Sequence, residues 1–127
     1  MEIIYQWLHT GDDIRDILTR YDRKHRVDSE YLADLVLGAT TKHQEIVNKI
    51  EPFFSNRSIA EVSQLEQALL LMASYEMMFK YEVPYRVVIN EALNIIKKYG
   101  ATDSHKFINS VLDQLAKEVR GMECGNA

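Results

Sequence analysis

The sequence predicts an all-α fold, a compact bundle of about seven short helices, and three observations predict it. Apolar residues recur at helical spacing through most of the chain. No stretch of comparable length alternates apolar with polar residues as a half-buried strand does, and the residues that start and stop helices fall where capping chemistry needs them. With 127 residues, 46% of them hydrophobic, the chain can bury one cooperative core and is too short for two ordinary domains. One helical domain over residues 1–120 is expected, followed by a tail at 121–127 that lacks an apolar period and should fray.

Ile3, Ile4, Trp7 and Leu8 form the first apolar stripe, which Gly11-Asp12-Asp13 ends. Ile14, Ile17, Leu18 and Tyr21 mark a short second helix, and a charged loop runs on to Asp28. Ser29 is placed to cap a long third helix whose inner positions are Leu32, Leu35, Val36, Ala39, His43, Ile46, Val47 and Ile50, with Pro52 just past its end.

Ser63 and Glu66 make a capping box, in which the hydroxyl reaches the amide of Glu66 and the carboxylate reaches back to the amide of Ser63. From Leu65 to Phe79 the next helix is apolar nearly all round, so neighbours must surround it, and it is the expected centre of the core. Pro84 then presets a backbone angle suited to a first helical turn. The helix it opens, at about residues 85–99, should bury Val88, Ile89, Ala92 and Ile96 and turn Arg86, Asn94, Lys97 and Lys98 to solvent. Gly100 suits a left-handed stop, and Asp103 can cap a last helix with Phe107, Ile108, Val111, Leu112, Leu115 and Val119 inside.

The formal net charge is −4, so the molecule as a whole is not a basic protein that coats phosphate backbones, and any nucleic-acid site must be a local patch. Two neighbourhoods qualify: the run Arg20-Tyr21-Asp22-Arg23-Lys24-His25-Arg26, and Lys97, Lys98 and Lys106. A solvated surface is the competing reading of each. The lone Cys124 allows neither a disulfide nor a thiolate metal site within one chain, which suits a reducing cytoplasm. Nothing near Met1 reads as an export signal, and no apolar run approaches the roughly 20 residues that cross a bilayer.

The corner Asp103-Ser104-His105-Lys106-Phe107 carries the best candidate site. A helix start exposes amides and a positive dipole end, Lys106 adds a mobile charge, and an aromatic beside a cation can stack on an unpaired base. An ordinary cap at Asp103 and core packing of Phe107 are the competing readings. Asp103, Ser104 and His105 are the residue types of a hydrolase triad, but three consecutive side chains at a helix start diverge and cannot line up for catalysis. His9, His25, His43 and His105 lack metal-ligand spacing, so no metal or other cofactor is expected. Glu76 and Glu91 could be paired interior carboxylates, with a structural role the simpler reading.

Three blocks carry a family resemblance. The run VPYRVVINEALNIIKKYGATDSHKFINSVLD at residues 83–113, EQALLLMASYE at 66–76 and Ile4-Tyr5-Gln6-Trp7-Leu8 together resemble the NusB family of bacterial transcription antitermination factors, over nearly the whole chain. The resemblance implies a non-enzymatic helical protein that binds single-stranded boxA RNA together with NusE, a small-subunit ribosomal protein, within the RNA polymerase antitermination complex and in support of ribosomal RNA transcription. It places RNA contacts on Asp103, Lys106 and Phe107 and matches the partner-contact positions to Tyr5 and Glu66; His105 in the same corner and, from the local clustering of positive charge, Arg23, Lys24 and Arg26 are added as candidate RNA contacts. A homodimer is an open alternative for the free state.

Three departures from the family pattern bear on function. The arginine-rich segment that precedes the opening aromatic block in the family is not present here, since Met1-Glu2 already belongs to the first helix, so a protein-only interaction module with weakened RNA binding is the alternative function. Leu71 replaces an arginine, which would remove a charge from a partner-facing surface. Ser110 replaces a glycine and can bond back to its own helix. Domains of this kind also occur fused to RNA methyltransferases, but this chain has no glycine-rich strand-to-helix turn for a methyl donor and no cysteine pair, so no enzyme is expected.

Overall fold

Ser63 starts the central helix as the sequence predicts: its Oγ accepts from the amide of Glu66 at 3.2 Å, and the Glu66 carboxylate accepts from the Ser63 amide and hydroxyl at 3.3 and 2.9 Å. In this computed structural model, which describes residues 2–12, 29–55, 57–99 and 102–121, that helix is the fourth of six described α-helices. They are α1 (Glu2–Thr10), α2 (Ser29–Thr41), α3 (His43–Ile50), α4 (Gln64–Phe79), α5 (Tyr85–Tyr99) and α6 (Thr102–Val119). Short 3-10 turns at Glu51–Phe53 and Ile59–Glu61 lie between α3 and α4, and no strand occurs among the described residues. The expected helix from Ile14 to Tyr21 lies outside them.

Every other described α-helix packs on α4, because its buried residues face all directions: Ala68, Leu69, Leu70, Leu71, Ala73, Tyr75 and Met77 are all interior. The apolar stripes of α5 and α6 close on it and on each other. Val88, Ile89, Ala92 and Ile96 are buried on α5, and Ile108, Val111, Leu112 and Leu115 on α6, as their spacing requires. Each Val, Leu or Ile among them contributes about 2 kcal/mol when fully removed from water. Leu71 is 1% exposed, so the family arginine is replaced here at an interior position, and the expected loss of a partner-facing charge does not apply.

Two expected boundaries differ from the structure. The predicted long helix from Ser29 to Ile50 is two helices that meet at Lys42, whose φ of −99° and ψ of 17° break the α geometry. Thr40 stands just before the bend, and its hydroxyl bonds back to the carbonyls of Val36 and Leu37 at 2.9 and 3.2 Å, a contact that bends helices. The ladder still nearly continues, with the Lys42 amide on the Gly38 carbonyl and the Ile46 amide on the Lys42 carbonyl, both at 2.9 Å. The second difference is at α6, which opens at Thr102, so Asp103 sits inside the first turn rather than capping it. An acidic group there still meets the positive end of the helix favourably.

The C-terminus of α4 is closed from a distance. Arg120, only 3% exposed, donates to the carbonyls of Met77 (2.8 Å), Lys80 (2.9 Å), Val83 (3.0 Å) and Glu76 (3.2 Å). The Glu76 and Lys80 carbonyls also accept from the amides of Lys80 and Val83, so the planar fork of N–H groups adds to those bonds and supplies a donor to the Met77 and Val83 carbonyls beside the negative end of the helix. Tyr81 covers the guanidinium from outside, with the Arg120 carbon 4.8 Å from its ring centroid. Lys80 adds an ion pair to Asp34 that links this end of α4 to α2. At the other end, Gln64 ties α1 to α4 by donating to the Leu8 carbonyl and pairing with His9, both at 3.1 Å.

Candidate nucleic-acid interface

The start of α6 brings a cation and an aromatic ring to the surface side by side: Lys106 is exposed and Phe107 half-buried. Helical spacing explains this. Phe107 stands at the edge of the stripe that Ile108, Val111 and Leu112 bury, so its ring is shared between core and solvent. Within the core it meets Phe54, which is fully buried, at 5.4 Å between centroids and a tilt of 60°. Phe107 is therefore packed on the core on one side and partly open to solvent on the other. Asp103 is exposed, Ser104 and His105 are half-buried, and Lys97 and Lys98 are exposed at the end of α5.

A second cation reaches the same ring from a different element. The Arg57 guanidinium lies 4.4 Å from the Phe107 centroid. Its position follows from the loop before α4: the Phe54 amide donates to the Glu51 carbonyl at 3.0 Å, Ser55 takes a left-handed φ of 51°, and the Arg57 amide donates back to Phe54 at 3.3 Å. The far side of this loop is pinned by the Glu51 carboxylate, which accepts from the Ile59 amide at 2.8 Å, and by Gln67, which donates to Ile59 and Val62 carbonyls at 2.9 and 2.8 Å. Periodicity could not single out Arg57, because a loop residue has no face; the polar run Ser55 to Ser58 directly after Phe53 and Phe54 was the available signal.

The other expected site residues divide into those the structure places and those it does not. Arg23, Lys24 and Arg26 lie outside the described residues. Tyr5 belongs to α1, which packs on α4, the helix that Glu66 helps to start. Glu66 is 7% exposed, and both capping-box bonds fall on one oxygen of its carboxylate. Glu91 is exposed, which removes it as an interior carboxylate, and Glu76 is half-buried. Ser110 is exposed and accepts from Gln114 one turn on, at 3.1 Å from its hydroxyl and 3.2 Å from its carbonyl.

No group of three or more His, Cys, Asp or Glu able to hold a metal forms among the described residues, and no helix among them is long and apolar enough to cross a membrane. Burial pushes the His43 imidazole below its ordinary value, and its ring meets the edge of Trp7 at 5.5 Å.

Fold and surface together define a small all-helical protein whose described polar groups serve caps, helix ends and a cationic corner. The chain belongs to the NusB family, whose sequence model matches residues 1–117. It is 41% identical over 123 residues to the transcription antitermination protein NusB of Nitrosomonas europaea, covering 94% of this chain and 73% of that protein. The structure is similar to T. maritima NusB, with a TM-score of 0.85 and 26% identity over 98% of this chain and 90% of that one. It also shares its fold with a structure of the antitermination factors NusB and NusE in complex with dsRNA, at a TM-score of 0.83, 23% identity, and coverage of 91% and 89%. The family is one of non-enzymatic, RNA-binding transcription antitermination factors.

Proposed function

We propose that this protein binds single-stranded boxA RNA jointly with NusE and acts in the cytoplasm as part of the RNA polymerase antitermination complex that supports ribosomal RNA transcription. The observation that carries the reading is the exposed Lys106 beside the half-exposed Phe107 ring at the start of α6, in a chain of the NusB family. An ammonium neutralises a phosphate, and a ring accepts the face of an unpaired base. Asp103 and His105 border that pair, and Tyr5 and Glu66 are the positions proposed to meet NusE, through α1 and the start of α4. The RNA term is modest by itself in a chain of net charge −4, and a second protein surface bound to the same RNA raises the effective concentration of each contact.

The test is fluorescence anisotropy of labelled boxA RNA with NusE present, single-stranded and annealed to its complement, across a salt series. Preferential binding of the single strand is expected, with a log-affinity against log-salt slope that shrinks by about one when Lys106→Ala is introduced. Capture of NusE with no RNA-dependent complex even at low salt would overturn the reading in favour of a protein-only adaptor.

A further inference from the structure

We infer that Arg57 is itself an RNA-contacting residue, the outer layer of a stack built on Phe107, rather than a surface charge that happens to lie near it. The inference rests on the RNA-binding reading above and extends it to a loop outside the family-like corner. Phe107 has a fully buried neighbour in Phe54 on its core side, while Arg57 is exposed. The guanidinium lies 4.4 Å from the ring centroid on an exposed side chain, so a nucleobase that reaches the open part of the ring meets the guanidinium beside it.

That arrangement suits a base without any further rearrangement. A guanidinium is planar and weakly hydrated, so one face can rest on a ring while the other accepts a second flat group, and its N–H edges stay free to hold a phosphate. The loop is positioned for this before any ligand arrives. The Arg57 amide donates to the Phe54 carbonyl and the Glu51 carboxylate accepts from the Ile59 amide, which ties Arg57 and the turn after it to the residues that precede α4. Lys106, exposed on the residue before Phe107, supplies the neighbouring phosphate contact. Phe54, Phe107 and Arg57 thus lead by successive contacts from dry core to charged surface, and the last member is the one a single strand would touch.

The experiment is boxA RNA binding with NusE present, by anisotropy across a salt series, for the wild type, Arg57→Ala, Arg57→Lys and Lys106→Ala. For Arg57→Ala the expected result is about tenfold weaker binding with the salt slope reduced by about one, since both a stacked layer and a phosphate contact are removed. Arg57→Lys should keep the slope and recover only part of the affinity, because the charge remains and the plane is lost. Urea midpoints within error of wild type for both variants, expected for an exposed side chain, assign the loss to binding. Wild-type affinity in Arg57→Ala, while Lys106→Ala is weakened, would overturn the inference and leave the RNA-binding reading standing. Tighter binding by Arg57→Ala would also overturn it, since Arg57 would then compete with the base for the ring. Equal affinity of Arg57→Lys and wild type would remove the stacking layer from the proposal. A wild type that binds no RNA would overturn both readings together.

Discussion

Gly38 on α2 faces the Tyr75 ring of α4 so closely that a Cβ at position 38 would lie 2.2 Å from both the Tyr75 Cζ and its hydroxyl oxygen. The two helices cross at this point because residue 38 has no side chain. Tyr75 has no easy retreat, being 7% exposed and packed on Phe79 at 5.1 Å between centroids. Gly38→Ala is therefore expected to destabilise the fold by about 2 kcal/mol, an overpacking cost that outweighs the gain of roughly 1 kcal/mol in helix propensity. Urea denaturation checks it, and in a double-mutant cycle Tyr75→Leu should return most of the loss, because the obstructing ring is gone.

Arg120→Met should cost about 3 kcal/mol or more. The substitution keeps an apolar stem of similar length but leaves the carbonyls of Met77, Lys80, Val83 and Glu76 without the donor that now serves all four. Arg120→Lys should recover less than half of this, since one ammonium cannot reach four oxygens arranged around a planar fork. The unfolding free energies of the three proteins in urea decide the order, and equal values for Arg120→Lys and wild type would show that charge alone is what α4 needs.

Stability should fall on acidification from neutral pH, and His43 should account for part of that fall. Burial lowers its folded-state value below the ordinary 6.5. Above 6.5 the ring is neutral in both states and imposes no penalty; as pH drops through 6.5 and then through the folded value, the unfolded chain binds the proton more readily and folding loses ground. Once both states are protonated the penalty is complete and constant. Urea midpoints measured from pH 8 to pH 5 should decline less steeply in His43→Gln than in the wild type, and the imidazole resonances of His43 should titrate below those of a model peptide.

How much could be read in advance depended on whether a feature is local. The capping box at Ser63 and Glu66 and the limits of α5 are set by neighbours within a few residues, and both appear where the sequence placed them. The bend at Lys42 was missed because apolar spacing continues across it; the adjacent Thr40 and Thr41 were the available sign, since a β-branched hydroxyl can return to its own helix. Arg120 and Arg57 were out of reach for another reason. Each acts on a group far away in the chain, Arg120 on a helix end some forty residues earlier and Arg57 on a ring fifty residues later, and nothing in periodicity encodes such a meeting. The Lys106–Phe107 pair was legible as a juxtaposition of residue types, whereas its partner cation required the tertiary fold.

Ser74→Ala should stabilise the protein. Ser74 lies at the centre of α4 with no exposure, and its hydroxyl has no hydrogen-bond partner among the described residues. A buried hydroxyl without a partner gives up its water contacts for nothing, at a cost of about 1 kcal/mol or more on protein scales, and alanine is also the better helix former by a few tenths. Against this stands the loss of a few packing contacts to one oxygen atom, which leaves too small a void to matter much. The net expectation is a gain of about 0.5–1 kcal/mol in urea unfolding, with RNA binding unchanged because the residue lies wholly inside the bundle. A loss of stability of similar size would mean that the hydroxyl is satisfied after all, by a carbonyl of its own helix or a trapped water, and that α4 relies on it for its path through the core.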